Sequence, residues 1–177
     1  MNTGCEEPKS RSGYHYDENY DGNWYYEMQY LGFNYRITDF QCALGISQMN
    51  KLDNFVKRRR EIAEVYNKKL SCIKEIILPK EKDYAKSSYH LYPIRVESRI
   101  KRKKIFEFLR NKNIGVQVHY IPVYFHPYYR SLGYKQGVCP LAEDFYYTEI
   151  SIPMYPSLTD EEINYVIDNI KEAVKIS

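Results

Sequence analysis

The chain has 177 residues, of which 44% are hydrophobic and 28% charged, the profile of a globular protein with one domain or one and a half. Its formal net charge of +3, from 26 basic and 23 acidic residues, argues against a nucleic acid or a membrane as its partner. The sequence contains no run of 18 apolar residues, the length that would predict a membrane span.

The N-terminal residues 1–23 are polar and rich in Gly, Asp and Asn. They lack the apolar core of a secretory signal and predict a flexible segment. The four cysteines, Cys5, Cys42, Cys72 and Cys139, lie far apart, and no pair has CxxC or metal-ligand spacing. We interpret them as reduced thiols of a cytoplasmic protein.

The first predicted helix begins where Thr38 and Gln41 have the spacing of a capping box. Apolar residues then recur at intervals of three, four, seven and eight, which predicts one long amphipathic helix over about residues 39 to 70. The basic run KRRR at 57–60 lies inside this helix, and we interpret it as solvated helix surface.

The middle of the chain predicts two strands, a helix and a third strand. The strands cover 75–79 and 89–96, and Pro93 indicates that the second lies at an edge or contains a bulge. A helix over 99–113 and an alternating strand over 115–121 follow.

The last part of the chain predicts a helix over 139–150, a short strand over 150–153 and a final helix. Thr159 and Glu162 form a second capping box at the start of that helix. The order of elements predicts an α+β domain, in which a small, mostly antiparallel sheet carries helices on one face and a long helix precedes it.

The stretch LGFNYR contains the first candidate binding site. Residues two apart in an extended segment point to the same side, so Asn34 and Arg36 share a face and Gly32 leaves room beside them. An amide, a guanidinium and the helix start at Thr38 suit a phosphate or a carboxylate. Alternatively, Arg36 pairs with an acid and Asn34 caps a turn.

A second candidate site lies in the segment 115–134. The predicted strand carries His119 and Tyr120 to its end, and a proline-stiffened loop follows with Tyr124 and Tyr128. Aromatic faces and hydroxyls at a strand end suit a sugar or a nucleobase. Alternatively, the aromatic side chains pack the loop onto the helices and His119 is structural.

Motifs of several enzyme classes are absent from the sequence. It has no Gly-rich phosphate loop, no GxSxG, no HExxH and no convincing Cys–His pairing. We therefore assign no catalytic residue and no metal ligand from the residues alone.

The same stretches resemble a known pattern over about residues 24 to 174. WYYEMQYLGFNYRITDFQ, SSYHLYPIRV, VQVHYIPVYFHPYYRSLGY and AEDFYYTEISIPMYPSLTDEEINYVIDNI are similar, in this order, to the DegT/DnrJ/EryC1/StrS family. These are sugar aminotransferases that depend on pyridoxal phosphate (PLP). The HYIPV and PYYR elements most resemble the branch named for UDP-4-amino-4,6-dideoxy-N-acetyl-L-altrosamine.

This resemblance implies part of a fold-type-I aminotransferase, with residues 24–70 ending the large domain and residues 71–177 forming the small C-terminal domain. It implies that Asn34, in the family's G-x-N-x-R motif, reaches the PLP phosphate of the other subunit of a homodimer, and that Arg36 serves the same anionic region. Residues 1–23 precede both regions.

The resemblance also implies that the segment from His119 to Tyr129 borders a sugar-nucleotide pocket, which makes His119, Tyr120, Tyr124 and Tyr128 substrate-binding candidates. Tyr124 departs from the pattern, because relatives often have His at that position.

The implied reaction moves an amino group, with glutamate as the expected donor, to a 4-keto-6-deoxy sugar nucleotide. The family's cofactor-bearing lysine motif falls before Met1, so we expect this chain alone to be inactive. A truncated protein, a split gene product and a proteolytic remnant remain open. A free-standing dimerisation or regulatory domain, which contacts a full-length aminotransferase subunit, is the alternative. Nucleic-acid binding through Lys57–Arg60 and Lys101–Lys104 is a weaker one, and the charge balance opposes it.

Overall fold

The computed structural model describes Phe33 and residues 35–176, so Cys5, Asn34 and the predicted N-terminal segment lie outside the described residues. The contacts divide the chain after Cys42 into two compact units, and each is described by itself.

Helix α1, Asp39–Met49, begins at the predicted capping box. The backbone N–H of Thr38 donates to Gln41 Oε1 across 2.9 Å, and the N–H of Gln41 donates to Thr38 Oγ1 across 3.3 Å. These bonds satisfy donors that a helix start otherwise leaves without partners. The first capping-box prediction is therefore confirmed.

The prediction of a single helix over 39–70 is wrong, because α1 ends and a second helix, α2 (Leu52–Leu70), begins after a turn at Asn50 and Lys51. The N–H of Lys51 donates to the carbonyl of Gln48, three residues back, across 3.0 Å. The apolar spacing continues across this turn, so periodicity alone did not indicate the interruption.

The sheet has three short antiparallel strands in the order β1 (Ile76–Ile77), β2 (Tyr92–Val96) and β3 (Glu149–Ile152). Ile94 pairs with Ile150, and Ile76 pairs with Val96. The predicted small antiparallel sheet is present, with shorter strands than the sequence suggested.

Pro93 lies in the middle strand of this sheet rather than in an outer one. It pairs with Ser151 of β3, whereas β1 reaches only Val96 and Arg95. At Pro93 the strand therefore has one described neighbour, and the missing N–H interrupts no described ladder on the β1 side.

The predicted strand over 115–121 is also wrong, since only Gln117 forms a bridge, with Ser151. The N–H of His119 donates across 2.9 Å to the carboxylate of Glu149. A side chain thus uses the backbone donor that a longer ladder would need.

Three of the remaining helices lie close to their predicted positions: α3 (Arg99–Asn111), α5 (Pro140–Thr148) and α6 (Asp160–Ile176). A short helix, α4 (Pro127–Ser131), and a 3₁₀ turn at Val123–Phe125 lie where the sequence analysis predicted a loop. Shortly after α3, Asn113 adopts a positive φ of 58°. The second capping box opens α6, where the N–H of Thr159 donates to Glu162 Oε2 across 2.8 Å and the N–H of Glu162 donates to Thr159 Oγ1 across 3.2 Å.

The core lies on the face of β2 that carries Tyr92, Ile94 and Val96. Helices α2, α3 and α6 each bury the apolar residues of one side in the same cluster. Tyr66 of α2 lies against Tyr92 with ring centroids 5.0 Å apart, and its hydroxyl donates to the carbonyl of Pro153 across 2.9 Å. Helix α2 is thereby fixed to the β3 end of the domain.

The interpretation of the basic run 57–60 as solvated surface is wrong for its arginines. Arg58 pairs with Asp160 across 2.9 Å. Arg59 donates to three backbone carbonyls, and Arg60 pairs with Glu81 across 3.0 Å. These guanidinium groups fasten α2 to the loops around the sheet, because each offers several fixed donors.

Candidate functional site

Arg36 lies in an exposed segment that is neither helix nor strand, two residues before the Thr38 cap. Phe33 and Tyr35, on the alternate positions, stack with ring centroids 5.4 Å apart. Arg36 forms no ion pair with a carboxylate among the described residues, so the alternative of a pairing acid is not seen there. An exposed guanidinium beside a helix start fits contact with an anionic group.

The family resemblance implies a PLP site that includes this segment. Arg36 fits the phosphate of PLP in charge and exposure. Asn34, the other predicted cofactor ligand, lies outside the described residues.

His119 is half-buried at the end of the segment that bridges to β3. Its backbone is held by Glu149, and its ring lies edge-on to Tyr120 with centroids 4.6 Å apart. Its Nδ1 is buried and has no hydrogen-bond partner among the described residues. A buried nitrogen without a partner is costly, so this ring is the least satisfied polar group of the predicted set.

Tyr124 is held by the protein itself. Its hydroxyl donates across 2.9 Å to Glu143 and lies 3.3 Å from the carbonyl of Cys139. Partial burial and the bond to Glu143 raise the pKa of Tyr124 to about 12. The hydroxyl is therefore neutral at physiological pH, and it anchors the loop to α5.

The other two substrate candidates are exposed. Tyr120 exposes 67% of its surface and Tyr128 exposes 68%, and the Tyr128 ring lies edge-on to Tyr129. Both keep free aromatic faces, so neither serves mainly to pack the loop on the domain.

The structure places His119 and Tyr124 in different pockets. His119 lines a pocket of about 450 Å³ together with Gln117, Ser151 and Tyr155. Tyr124 lines a second pocket of about 530 Å³ between the loop, α3 and α5. The predicted substrate-binding residues thus lie on one loop, but His119 and Tyr124 do not line a common cavity in the part of the chain that the structure describes.

Two buried carboxylates that the sequence analysis missed hold the two ends of this loop. Glu149 accepts from the N–H of His119 and the hydroxyl of Ser151, and burial raises its pKa. Glu143 accepts from Tyr124 and, across 2.6 Å, from the N–H of Gly137. A carboxylate in the first turn of a helix with proline at its start was a weak signal for Glu143, and none pointed to Glu149.

Two classes of site lack support among residues 35–176. No cluster of three or more His, Cys, Asp or Glu side chains could hold a metal ion. No helix in this part of the chain is long and apolar enough to cross a bilayer.

Comparison with known proteins identifies relatives of the whole pattern. Residues 6–171 match the model of the DegT/DnrJ/EryC1/StrS aminotransferase family. An uncharacterised protein of Methanocaldococcus jannaschii is 41% identical, with 87% of this chain and 41% of the relative covered. The UDP-4-amino-4,6-dideoxy-N-acetyl-beta-L-altrosamine transaminase of Campylobacter jejuni is 40% identical, with 83% of this chain and 39% of the relative covered.

A solved structure gives the same result. The PLP form of the putative sugar aminotransferase Spr1654 from Streptococcus pneumoniae superposes with a TM-score of 0.81 at 30% identity, covering 88% of this chain and 40% of that one. The predicted fold class, part of a fold-type-I aminotransferase, is confirmed. The chain spans about two fifths of the length of the relatives it matches.

Proposed function

Because the chain belongs to the DegT/DnrJ/EryC1/StrS aminotransferase family, we propose that it forms the C-terminal part of an enzyme that aminates a 4-keto-6-deoxy sugar nucleotide. The observation that carries the proposal is the 40% identity to the C. jejuni transaminase over 151 residues. PLP, when bound, supplies the electron sink through which an amino group moves between donor and acceptor.

In this proposal, residues 24–70 complete a PLP site and 71–177 form the small domain. Arg36 carries a permanent positive charge at an exposed position, and Asn34 adds an amide two residues before it. We assign both to the cofactor's phosphate in the partner subunit of a homodimer, where a guanidinium neutralises the phosphate charge and an amide orients it.

The loop that begins at His119 is assigned to the sugar nucleotide. Tyr120 and Tyr128 offer exposed rings for stacking, and His119 offers a nitrogen without a partner among the described residues. Tyr124 contributes its ring, because its hydroxyl is bonded to Glu143. The loop therefore orients and encloses the substrate, and no proton transfer is assigned to it.

We further propose that this chain does not transaminate by itself. None of its lysines lies in the lysine motif of the family, and the amine of that lysine holds the cofactor and moves protons. After incubation with PLP and reduction with borohydride, no single lysine of this chain should be modified in every molecule. A single lysine modified in every molecule would contradict this part of the proposal.

The direct test is an amino-transfer assay on the protein expressed from its full reading frame. Glutamate and a UDP-linked 4-keto-6-deoxy-N-acetylhexosamine are the expected pair, and mass spectrometry detects the amino sugar. A GDP-linked 4-keto-6-deoxyhexose serves as the comparison substrate. Amination of neither sugar would refute the proposed function, and amination of the GDP sugar alone would refute the UDP assignment.

A second candidate, a non-catalytic dimerisation or regulatory domain, is favoured by α1. This helix has no buried residue, and it exposes 55% of Leu44, 67% of Ile46 and 64% of Met49. Ile46 and Met49, three residues apart, share one side of the helix, whereas Leu44 lies on the other side. Large apolar side chains exposed in this way typically mark a protein contact. The occupant we assign to this helix is an aminotransferase subunit, either another copy of this chain or a full-length one.

Sedimentation at several concentrations tests this contact. The chain should self-associate, and Ile46→Asp should shift it toward the monomer. Lys104→Asp, on an exposed part of α3, is the matched control. A strictly monomeric chain that also fails to bind full-length subunits would exclude the second candidate.

A further inference from the structure

The segment that carries His119 leaves the sheet at a point that the strand register defines. Gln117 exchanges both backbone hydrogen bonds with Ser151 of β3, at 3.1 and 2.8 Å. In an antiparallel ladder, the next pair of this kind lies two residues further along each strand, which would join His119 to Glu149. Instead, the N–H of His119 donates across 2.9 Å to the side-chain carboxylate of Glu149. The chain therefore departs from β3 at His119.

The backbone of Glu149 serves a different element at this point. Its N–H donates to the carbonyl of Phe145 and so closes α5. A ladder pair of Glu149 with His119 would need that same N–H, so the two arrangements compete. The helix end takes the backbone donor, and the carboxylate stands in for the main-chain carbonyl as the acceptor for His119. One residue thus ends a helix with its backbone and holds the start of a loop with its side chain.

The carboxylate that holds His119 is itself fixed. Glu149 is fully buried, with 0% of its surface exposed. The oxygen that does not bind His119 accepts the hydroxyl of Ser151, which lies two residues along β3 on the same side of the strand. The backbone of Ser151 is held between Pro93 of β2 and Gln117. A buried group with both oxygens bonded is rigid, so the sheet sets the position of the His119 amide.

The substrate candidates of the loop begin at this anchored amide. Tyr120 is the next residue and exposes 67% of its surface, and the His119 ring lines the pocket of about 450 Å³. From this arrangement we propose that Glu149 is a positioning residue, which directs the chain out of the sheet and thereby places His119 and Tyr120 for the sugar nucleotide. Because it is buried, Glu149 acts through His119 and does not touch the ligand itself. The identity of the ligand rests on the proposed function, whereas the hold on the loop is independent of it.

Two substitutions separate the reach of this carboxylate from its charge. Glu149→Asp keeps the charge but shortens the side chain by one methylene, so the carboxylate no longer reaches the His119 amide. Glu149→Gln loses the charge but keeps the length, since its oxygen accepts the N–H of His119 and its amide N–H donates to the Ser151 hydroxyl. Positioning therefore predicts that Glu149→Gln resembles wild type and Glu149→Asp does not. The reverse order would overturn the proposal, because the charge would then be what matters.

Amide hydrogen exchange measures the anchored loop without a ligand or a reaction. In the protein expressed from its full reading frame, peptides that cover residues 116–126 should exchange about 10-fold faster in Glu149→Asp, the effect of losing a hydrogen bond to a charged group. Peptides from α6 should keep their wild-type exchange. Ser151→Ala, which removes only the hydroxyl that orients the carboxylate, should show a smaller change at residues 116–126. Unchanged exchange there in Glu149→Asp would overturn the proposal.

Kinetics connect the anchored loop to the substrate. In the amino-transfer assay, kcat/KM for the sugar nucleotide should fall by about 10- to 100-fold in Glu149→Asp, since a misplacement of about 1 Å costs up to that much. For glutamate it should change by less than about 2-fold, because the donor reacts in a separate half-reaction. Ile170→Val, in the buried core on α6, controls for lost stability and should alter neither value. A fall shared by both substrates, or by Ile170→Val, would overturn the positioning role.

Separate outcomes refute the positioning role and the proposed function. Loop exchange that responds to Glu149→Asp in an active enzyme whose sugar kinetics do not respond would refute the positioning role alone. A wild-type protein that aminates neither sugar would refute the proposed function, and the exchange of residues 116–126 would then decide by itself whether Glu149 holds the loop. Thermal melting shows whether each variant is folded. If Glu149→Asp fails to fold, Ser151→Ala carries both measurements, and wild-type values in that variant would overturn the proposal.

Discussion

The hydroxyl of Tyr124 donates a hydrogen bond to the buried carboxylate of Glu143 across 2.9 Å, which fixes the substrate-loop candidate to the first turn of α5. The same carboxylate oxygen accepts the N–H of Gly137 across 2.6 Å. Glu143 therefore joins two points of the loop, while Glu149 holds its other end at His119.

Removing the Tyr124 hydroxyl should lower stability more than it lowers substrate affinity. Tyr124→Phe keeps the ring and leaves Glu143 with one partner fewer, at a cost of about 1 kcal/mol in the free energy of unfolding. Tyr128→Phe, at a 68% exposed position, is the control and should cost less than about 0.5 kcal/mol. Denaturant unfolding measures both. A large rise in KM for Tyr124→Phe with unchanged stability would assign the hydroxyl to the substrate instead.

Glu149 should make stability depend on pH in the direction opposite to that of a salt-bridged acid. Burial raises its folded pKa above the ordinary value of 4.5, so the folded state binds the proton more tightly than the unfolded state. The stabilising contribution is present below pH 4.5 and is lost as pH rises through the raised folded pKa.

The difference in unfolding free energy between wild type and Glu149→Gln isolates this titration, because the amide that replaces the carboxyl does not titrate and retains an oxygen that accepts hydrogen bonds. As pH falls from 7 toward 4.5, wild type should gain stability relative to the variant. A difference that stays constant across this range would show that Glu149 keeps an unshifted pKa.

The basic run in α2 allows a test of structural arginine against surface lysine. Arg59 donates to the carbonyls of Tyr89, His90 and Met154 at 3.1, 3.1 and 2.7 Å. Arg59→Met should lower the free energy of unfolding by about 2 kcal/mol, since those carbonyls lose a charged donor. Lys57→Met, at an exposed position of the same run, should change it by less than about 0.5 kcal/mol. Equal stability changes in the two variants would show that Arg59, like Lys57, is a solvated surface residue.

Asn34 and Arg36 should affect binding more than folding. In the whole protein, Asn34→Ala and Arg36→Ala should each weaken PLP binding by roughly 10- to 150-fold, the worth of about 1.5–3 kcal/mol for a hydrogen bond to a charged group. Melting should shift little, because Arg36 is exposed and substitutions away from special structural features change stability by about 0.5 kcal/mol. Retained affinity with a lower melting temperature would make both residues structural.

A mixing experiment tests whether this contact crosses the dimer. Subunits with Asn34→Ala are combined with subunits that lack the family's cofactor-bearing lysine, and PLP retention is measured in each. If the asparagine acts in trans, the mixed dimer keeps one complete site, in the Asn34→Ala subunit, which has its own lysine and receives the partner subunit's asparagine. If the contact lies within one chain, no site of the mixed dimer is complete and neither subunit retains PLP.

The sequence by itself determined the elements whose signals are local. The Thr38–Gln41 and Thr159–Glu162 capping boxes formed as predicted, because each depends on side chains within three residues of the amides they bind. The α+β class followed from the order of periodic segments, and the G-x-N-x-R and HYIPV elements identified the family.

The tertiary structure decided what depends on distant partners. The break at Asn50 and Lys51 leaves the apolar spacing intact, and the strand predicted after Gly115 ends because Glu149, 30 residues later, takes the amide of His119. Arg59 is structural only because three remote carbonyls lie around it, and Arg99 meets Tyr147 only where α3 and α5 approach. Spacing along a chain cannot reveal such pairs, since folding brings their members together across tens of residues.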